Sequence, residues 1–366
     1  MTRNETNCMS KPDTSWWDYH SDQPYKLAAS QKPRLRGAQL LEYSRIAATA
    51  AVMLPAVLWR YARARPQLPR PDTKPFVGLG VSPAPNHNAQ ILEMVGELGV
   101  EELLLRVPAW DLDHIDRYLE FARQFPDQRF LISILQNRAS VTNPDRWQYH
   151  LETIFNSFKT VTRDFQIGNA INRSKWGCTH TGEYLDLLER AEAVRRDHPG
   201  IRLIGSAVID FEPLVTLRTL MNFRRYQLHG CASLMYVNRR GSPFNGQYRY
   251  FDLANKLRVV AAILSLSNRS QERLWITETN WPLLNTKPWT PNSGHPRSTV
   301  DEPTQAKYLT EYYQIAYQTG LVERVYWWQL INPGYGLVDH RDGKLRKHPS
   351  YYAFKGILDG GLSGNP

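Results

Sequence analysis

Past residue 75 the chain alternates between two hydrophobic rhythms. Short runs dense in β-branched, aromatic and leucine residues recur at 76–82 (FVGLGVS), 102–107 (ELLLRV), 129–136 (RFLISILQ) and 164–171 (DFQIGNAI). Four more follow at 201–208, 229–237, 273–280 (RLWITETN) and 323–331 (ERVYWWQLI). Such runs read as buried strands. Between them the apolar residues fall at helical spacing, over 88–98, 112–124, 145–158, 182–196, 213–222, 252–266, 302–319 and 349–358. Strands alternating with helices predict a parallel sheet. Eight such units over about 290 residues predict a closed (β/α)8 barrel occupying 76–366. An open, doubly wound sheet is the alternative, but GLGVSPAP after the first run is no GxGxxG phosphate loop.

The first 75 residues follow neither rhythm. Residues 1–37 are polar and proline-containing, and read as a largely disordered basic tail. No apolar stretch lies near Met1, so no signal peptide is expected. Residues 38–62 are apolar enough for an amphipathic helix. Their uncharged run, Ile46–Trp59, is 14 residues long, short of the roughly 20 a spanning helix needs. Pro55 interrupts it, and basic residues flank it: Lys32, Arg34, Arg36 and Arg45 before, Arg60, Arg63, Arg65 and Arg70 after. This pattern predicts a helix lying in the plane of an anionic membrane surface. A helix packed on the barrel and a spanning anchor are the alternatives. Residues 63–75 read as a Pro/Arg-rich linker. The expected location is cytoplasmic, peripheral on an inner membrane.

Charge sharpens this division. The first 75 residues contribute +6 of the formal +10, so the main domain is not strongly basic and a nucleic-acid surface is not indicated. Cys8, Cys178 and Cys231 have no metal-site spacing, and three cysteines make no disulfide framework. Free thiols are expected, with no metal and no cofactor.

Candidate chemistry begins in the seventh run. Leu274, Ile276 and Glu278 share one face, because side chains alternate along a strand. A carboxylate on a buried face must be paired, hydrogen-bonded or functional. Alone, Glu278 is equally well a structural ion pair. In barrels, however, chemistry gathers at the C-terminal strand ends. There the other runs carry Arg106, Asn169, Asp210 with Glu212, Tyr236, and the Trp327–Trp328–Gln329 triplet. Six polar or aromatic strand ends together favour a site.

These residues, in this order, resemble the clan of retaining glycoside hydrolases built on (β/α)8 barrels, the family-39 type above all. The resemblance runs from Phe76 to about Leu358. It implies Glu278 as nucleophile, Arg106 orienting it, Tyr236 hydrogen-bonding it, and Trp328 (or else Trp327) as the floor of the sugar site. Retaining hydrolysis needs two carboxyl groups, a nucleophile and a proton donor. In the clan the donor is a Glu directly after an Asn at the end of strand four; here the pair is Asn169-Ala170. Three readings follow. A displaced carboxyl, Asp210 or Glu212, acts as the acid; the substrate has a good leaving group such as a phosphate; or the barrel is a glycan-binding pseudoenzyme of polysaccharide or lipopolysaccharide assembly. In the loop NRSKWGCTH, Asn172, Arg173, Lys175, Trp176 and His180 are expected to line a groove, with Trp281 beyond strand seven, unless the loop is merely solvated. Arg and Lys there suit an anionic glycan. The expected substrate is a cell-surface polysaccharide of bacteria or its lipid-linked precursor.

Overall fold

A computed structural model describes residues 15–32, 37–64, 72–84, 86–290 and 298–362, with the Arg239 side chain left out. Eight strands form the core: β1 (Val77–Val81), β2 (Glu102–Pro108), β3 (Arg129–Leu135), β4 (Asp164–Ile167), β5 (Arg202–Ile209), β6 (Gly230–Leu234), β7 (Leu274–Thr279) and β8 (Arg324–Trp327). Each pairs in parallel with its chain neighbour, and β8 pairs with both β7 and β1, closing the barrel. The strands are buried almost throughout, as expected where helices cover the outer face.

Helices follow the strands in order: α2 (Asn88–Leu98), α3 (Ile115–Arg123), α4 (Pro144–Phe158), α5 (Thr181–Arg195), α6 (Pro213–Leu220), α7 (Leu253–Leu264), α8 (Glu302–Thr319) and α9 (Pro349–Gly356). Their boundaries have local causes. Asn143, Asp252 and Asp301 cap the starts of α4, α7 and α8 by accepting a backbone N–H three residues on. Gly99 ends α2 in the left-handed conformation. At the bottom of the barrel Glu102 accepts from Arg129 (2.7 Å) and pairs with Arg324 (3.0 Å), while Asp164 pairs with Arg202 (2.6 Å). The open end is therefore the C-terminal one.

Strand β1 reads VGLGV because its inward positions must be bare. A Cβ on Gly78 would stand 2.3 Å from the Tyr326 ring, and one on Gly80 2.3 Å from Trp328. The two glycines make room for those aromatic rings inside the barrel.

The N-terminal segment departs from the sequence expectation. Residues 15–32 are not a loose tail. Trp17–Asp18 pairs antiparallel with Gln23–Pro24 in a short ribbon over the barrel's open end. Trp16 and Trp17 pack on Trp110, and Trp17 also on Trp176, with ring centroids 4.7–5.6 Å apart. Tyr335 Oη donates to the Ser21 carbonyl (3.0 Å) and Asn332 Nδ2 to that of His20 (3.2 Å). Two-residue strands leave no periodicity to read; burial of adjacent tryptophans holds the ribbon instead. Residues 1–14, including Cys8, and 33–36 lie outside the described residues, as does most of the Pro/Arg-rich linker.

The apolar segment forms one helix, α1 (Gly37–Arg63), which continues through Pro55. It is long and apolar enough to cross a membrane. One face lies along α6 and α7. Glu42, buried, pairs with Arg218 (2.7 Å), and 19 residues on Tyr61 Oη donates to Asn255 Oδ1 (2.9 Å). Val57 is buried between those points. The other face shows Leu40, Leu41, Val52, Leu54, Leu58 and Trp59 to the exterior.

Candidate active site

The C-terminal end of the barrel holds a cavity of about 560 Å³. Glu278 enters it from the end of β7, on the face shared with Leu274 and Ile276. Both its oxygens are taken: Arg106, from β2, donates Nη2–H to Oε2, and Tyr236, just past β6, donates its hydroxyl to Oε1. Burial, reinforced by the Glu278 charge, pushes the Tyr236 phenol well above its ordinary range, so it stays a neutral donor. Burial works against the Arg106 charge, but Glu278 and Asp22 more than offset it. The guanidinium also lies 3.6 Å above the Trp328 ring. Arg106, Tyr236, Glu278 and Trp328, placed on four separate strand ends by the sequence, thus meet in one constellation.

The remaining expected residues divide. Trp176 lines the cavity, 5.9 Å from the Arg106 guanidinium. Arg173 and Lys175 also line it. Burial lowers the Lys175 ammonium to about 8, and its Nζ donates to Gln23 Oε1 (2.6 Å). Trp327 and Trp281 do not line it. They stack on each other in the core at 6.1 Å, and Trp281 Nε1 donates to the Gly241 carbonyl (3.0 Å). Asn172 is spent on the backbone, exchanging two 2.9 Å hydrogen bonds with Ile209. Asn169 is buried and is not part of the cavity lining; its backbone N–H donates to Gln136 Oε1 (2.8 Å), and its side-chain Nδ2 has no hydrogen-bond partner among the described residues. Asp210 lines the cavity; Glu212 and His180 face a different one, beside α1. Arg173 bridges both carboxylates, to Asp210 at 2.6 Å and Glu212 at 2.5 Å. Ala170 is fully buried, with its backbone in the left-handed region (φ 46°).

The largest omission from the sequence reading is the ribbon. Ser21, Asp22 and Gln23 form part of the cavity wall. Arg106 Nη1 donates to Asp22 Oδ2 (3.0 Å) and to the Asp22 carbonyl (3.3 Å). Burial, only partly countered by Arg106, raises the Asp22 carboxyl to about 6. Arg240, Asn280 and Tyr335 were also unanticipated. Arg240 lies 4.3 Å above the Tyr236 ring and donates to Asn280 Oδ1 (3.1 Å). The signal for the ribbon was the Trp16–Trp17 pair, out of place in a polar tail.

This barrel, with an acidic residue clamped at the end of its seventh strand, has the fold of the clan of (β/α)8 glycoside hydrolases. Comparison with solved structures bears this out. A β-glucosidase from Thermotoga maritima in complex with glucoimidazole superposes with a TM-score of 0.57 at 11% identity, over 80% of this chain and 99% of its own. A GH30 endoxylanase from Clostridium papyrosolvens gives 0.55 at 12%, over 80% and 73%. An arabinofuranosidase gives 0.57 at 15%, over 79% and 71%. No protein-family model and no curated protein sequence matches the chain.

Proposed function

We propose that this protein acts on the glycosidic bonds of an anionic glycan, a cell-surface polysaccharide or its lipid-linked precursor, with Glu278 as nucleophile. The observation that carries the proposal is the clamp on Glu278. A carboxylate that accepts from Arg106 and from Tyr236 has its orientation fixed, with both hydrogen bonds made before substrate arrives. Trp328 and Trp176 offer apolar faces to a sugar ring, and Lys175 and Arg240 line the same cavity with cationic groups suited to carboxylate or phosphate substituents, while Arg173 there is already paired with Asp210 and Glu212. Asn172 holds the backbone of β5 at Ile209, and the Asn169 side chain keeps a buried amide donor for a sugar hydroxyl. The exposed apolar face of α1, with Arg60 and Arg63 at its end, supports attachment in the plane of an anionic membrane on the cytoplasmic side, where a lipid-linked glycan would be met.

The test is Glu278→Gln. It keeps shape and removes the nucleophile, so turnover of a cleaved glycoside falls by several orders of magnitude while its binding changes little. Turnover surviving the substitution would end the proposal. A second reading, a glycan-binding protein without turnover, has one observation in its favour: fully buried Ala170 stands where the clan carries its proton donor. Saturable binding of a glycan that wild type never cleaves would establish it.

A further inference from the structure

Resting on the hydrolase reading, we propose that the proton donor comes from outside the barrel: Asp22, on the N-terminal ribbon, is the acid/base partner of Glu278. The geometry singles it out. Asp22 and Glu278 take neighbouring nitrogens of the same guanidinium, Nη1 and Nη2 of Arg106, in the same cavity. Two carboxyl groups sharing one guanidinium are close neighbours, as double displacement requires, where the separation is about 5–5.5 Å. Asp210, the other carboxyl in that wall, is bound to Arg173 and not to the guanidinium that holds Glu278. Nor is the Asp22 position casual. Its backbone is held in the left-handed region (φ 49°), which Asp tolerates better than most residues. Ser21 and Gln23 on either side are fastened to Tyr335 and Lys175.

The groups facing Asp22 are Arg106, Glu278, Asp18, Tyr118 and Tyr335. Burial first, then the two acidic neighbours, keep its proton on to about pH 6 against the pull of Arg106. This suits a group that must give and retake a proton near neutrality. In the first step a Glu278 oxygen bonds to the anomeric carbon. The bond from that carbon to the glycosidic oxygen breaks, its electron pair stays on the oxygen, and the Asp22 proton adds there, releasing an alcohol. In the second step water adds to the same carbon, its proton passes to Asp22, and the ester bond breaks to return Glu278 as carboxylate. The net change is addition of one water.

The experiment compares wild type, Asp22→Asn, Asp210→Asn and Glu278→Gln on phenyl and 2,4-dinitrophenyl glycosides of neutral and uronic sugars, with Tm measured for each. Asp22→Asn should lose about 10²–10⁴-fold on the phenyl glycoside, whose leaving group needs a proton. It should lose far less in forming the glycosyl-enzyme from the dinitrophenyl one, and azide should restore turnover by yielding a glycosyl azide. The wild-type pH limb near 6 should vanish with it. An equal fall on both leaving groups in a folded variant would reduce Asp22 to a structural clamp. No fall, or a rise, would make the ribbon a cover. The leaving-group pattern appearing in Asp210→Asn instead would move the role there. Any of these overturns the Asp22 assignment while Glu278→Gln remains inactive. If wild type cleaves nothing in the panel, or Glu278→Gln stays active, the hydrolase reading fails and takes this one with it.

Discussion

Arg106→Met is the most informative single perturbation of the site. It preserves an apolar stem over Trp328 and deletes the cation. Arg106 is 7% exposed, and its two partners come from opposite ends of the chain: Glu278 on β7 and Asp22 on the ribbon. Without it, the two carboxylates lose the cation they share, leaving Lys175 as a group whose charge acts on Glu278. Removing one partner of a buried ion pair costs about 3–5 kcal/mol. Asp22 is 29% exposed, so water recovers part of that and the lower end applies. For 366 residues, about 2.1 cal/mol/K each gives an unfolding entropy near 0.8 kcal/mol/K, so the expected fall in Tm is about 4 °C. The assay is thermal and urea unfolding followed by tryptophan fluorescence, at pH 8 and pH 5. The deficit should narrow at pH 5, where Asp22 is largely protonated and the repulsion fades, and Asp22→Asn in the Arg106→Met background should recover part of it at pH 8. A loss under about 1 kcal/mol at pH 8, or a deficit indifferent to pH, would refute the claim that Arg106 joins the buried Glu278 charge to the half-buried Asp22.

Tyr236→Phe removes the donor to Glu278 Oε1; a hydrogen bond to a charged group contributes about 1.5–3 kcal/mol, so kcat/KM on a cleaved glycoside should fall roughly 10–150-fold, measured by initial rates. In wild type, the raised Asp22 carboxyl contributes stability that is fully present below its ordinary value of 3.8 and lost as pH rises through about 6. Screening of this partly exposed group holds the effect to about 1–2 kcal/mol, and urea midpoints of Asp22→Asn from pH 4 to 7 should lack that slope. Gly80→Ala puts a Cβ against Trp328 and should weaken saturable glycan binding, read by intrinsic fluorescence, more than Ala substitution at exposed Gly96 does. Replacing Leu54 and Leu58 by Glu should abolish flotation with phosphatidylglycerol vesicles and leave glycoside turnover intact; flotation unchanged would remove the membrane role of α1.

The barrel was legible because each strand is a dense apolar run and each helix repeats its apolar residues at helical spacing. Asn143, Asp252 and Asp301 announce their helices locally, and the VGLGV of β1 needed only its partner rings to be explained. The clamp on Glu278 was legible for a related reason: a strand end fixes where a side chain points. Trp327 and Trp281 show the limit of that rule. One step along the strand separates Trp328 in the cavity from Trp327 in the core, and composition does not say which way either ring turns. The loop after β4 shows another limit, since Asn172 was free to bind substrate until the backbone of β5 claimed it. The ribbon was illegible because two-residue strands carry no periodicity, and its partners, Trp110, Trp176 and Tyr335, are known only once the barrel has closed.

That last dependence has a consequence for biosynthesis. The ribbon leaves the ribosome ahead of the barrel, yet the hydroxyl that holds Ser21 belongs to Tyr335, 314 residues later. At the usual rate of about 5–20 residues per second, the Trp16–Trp17 segment waits on the order of 15–60 s before its seat exists. During that interval the nascent chain carries an exposed aromatic pair next to an apolar helix. The ribbon's share of the cavity wall is thus the final piece to be seated, although it is translated before the strands it covers.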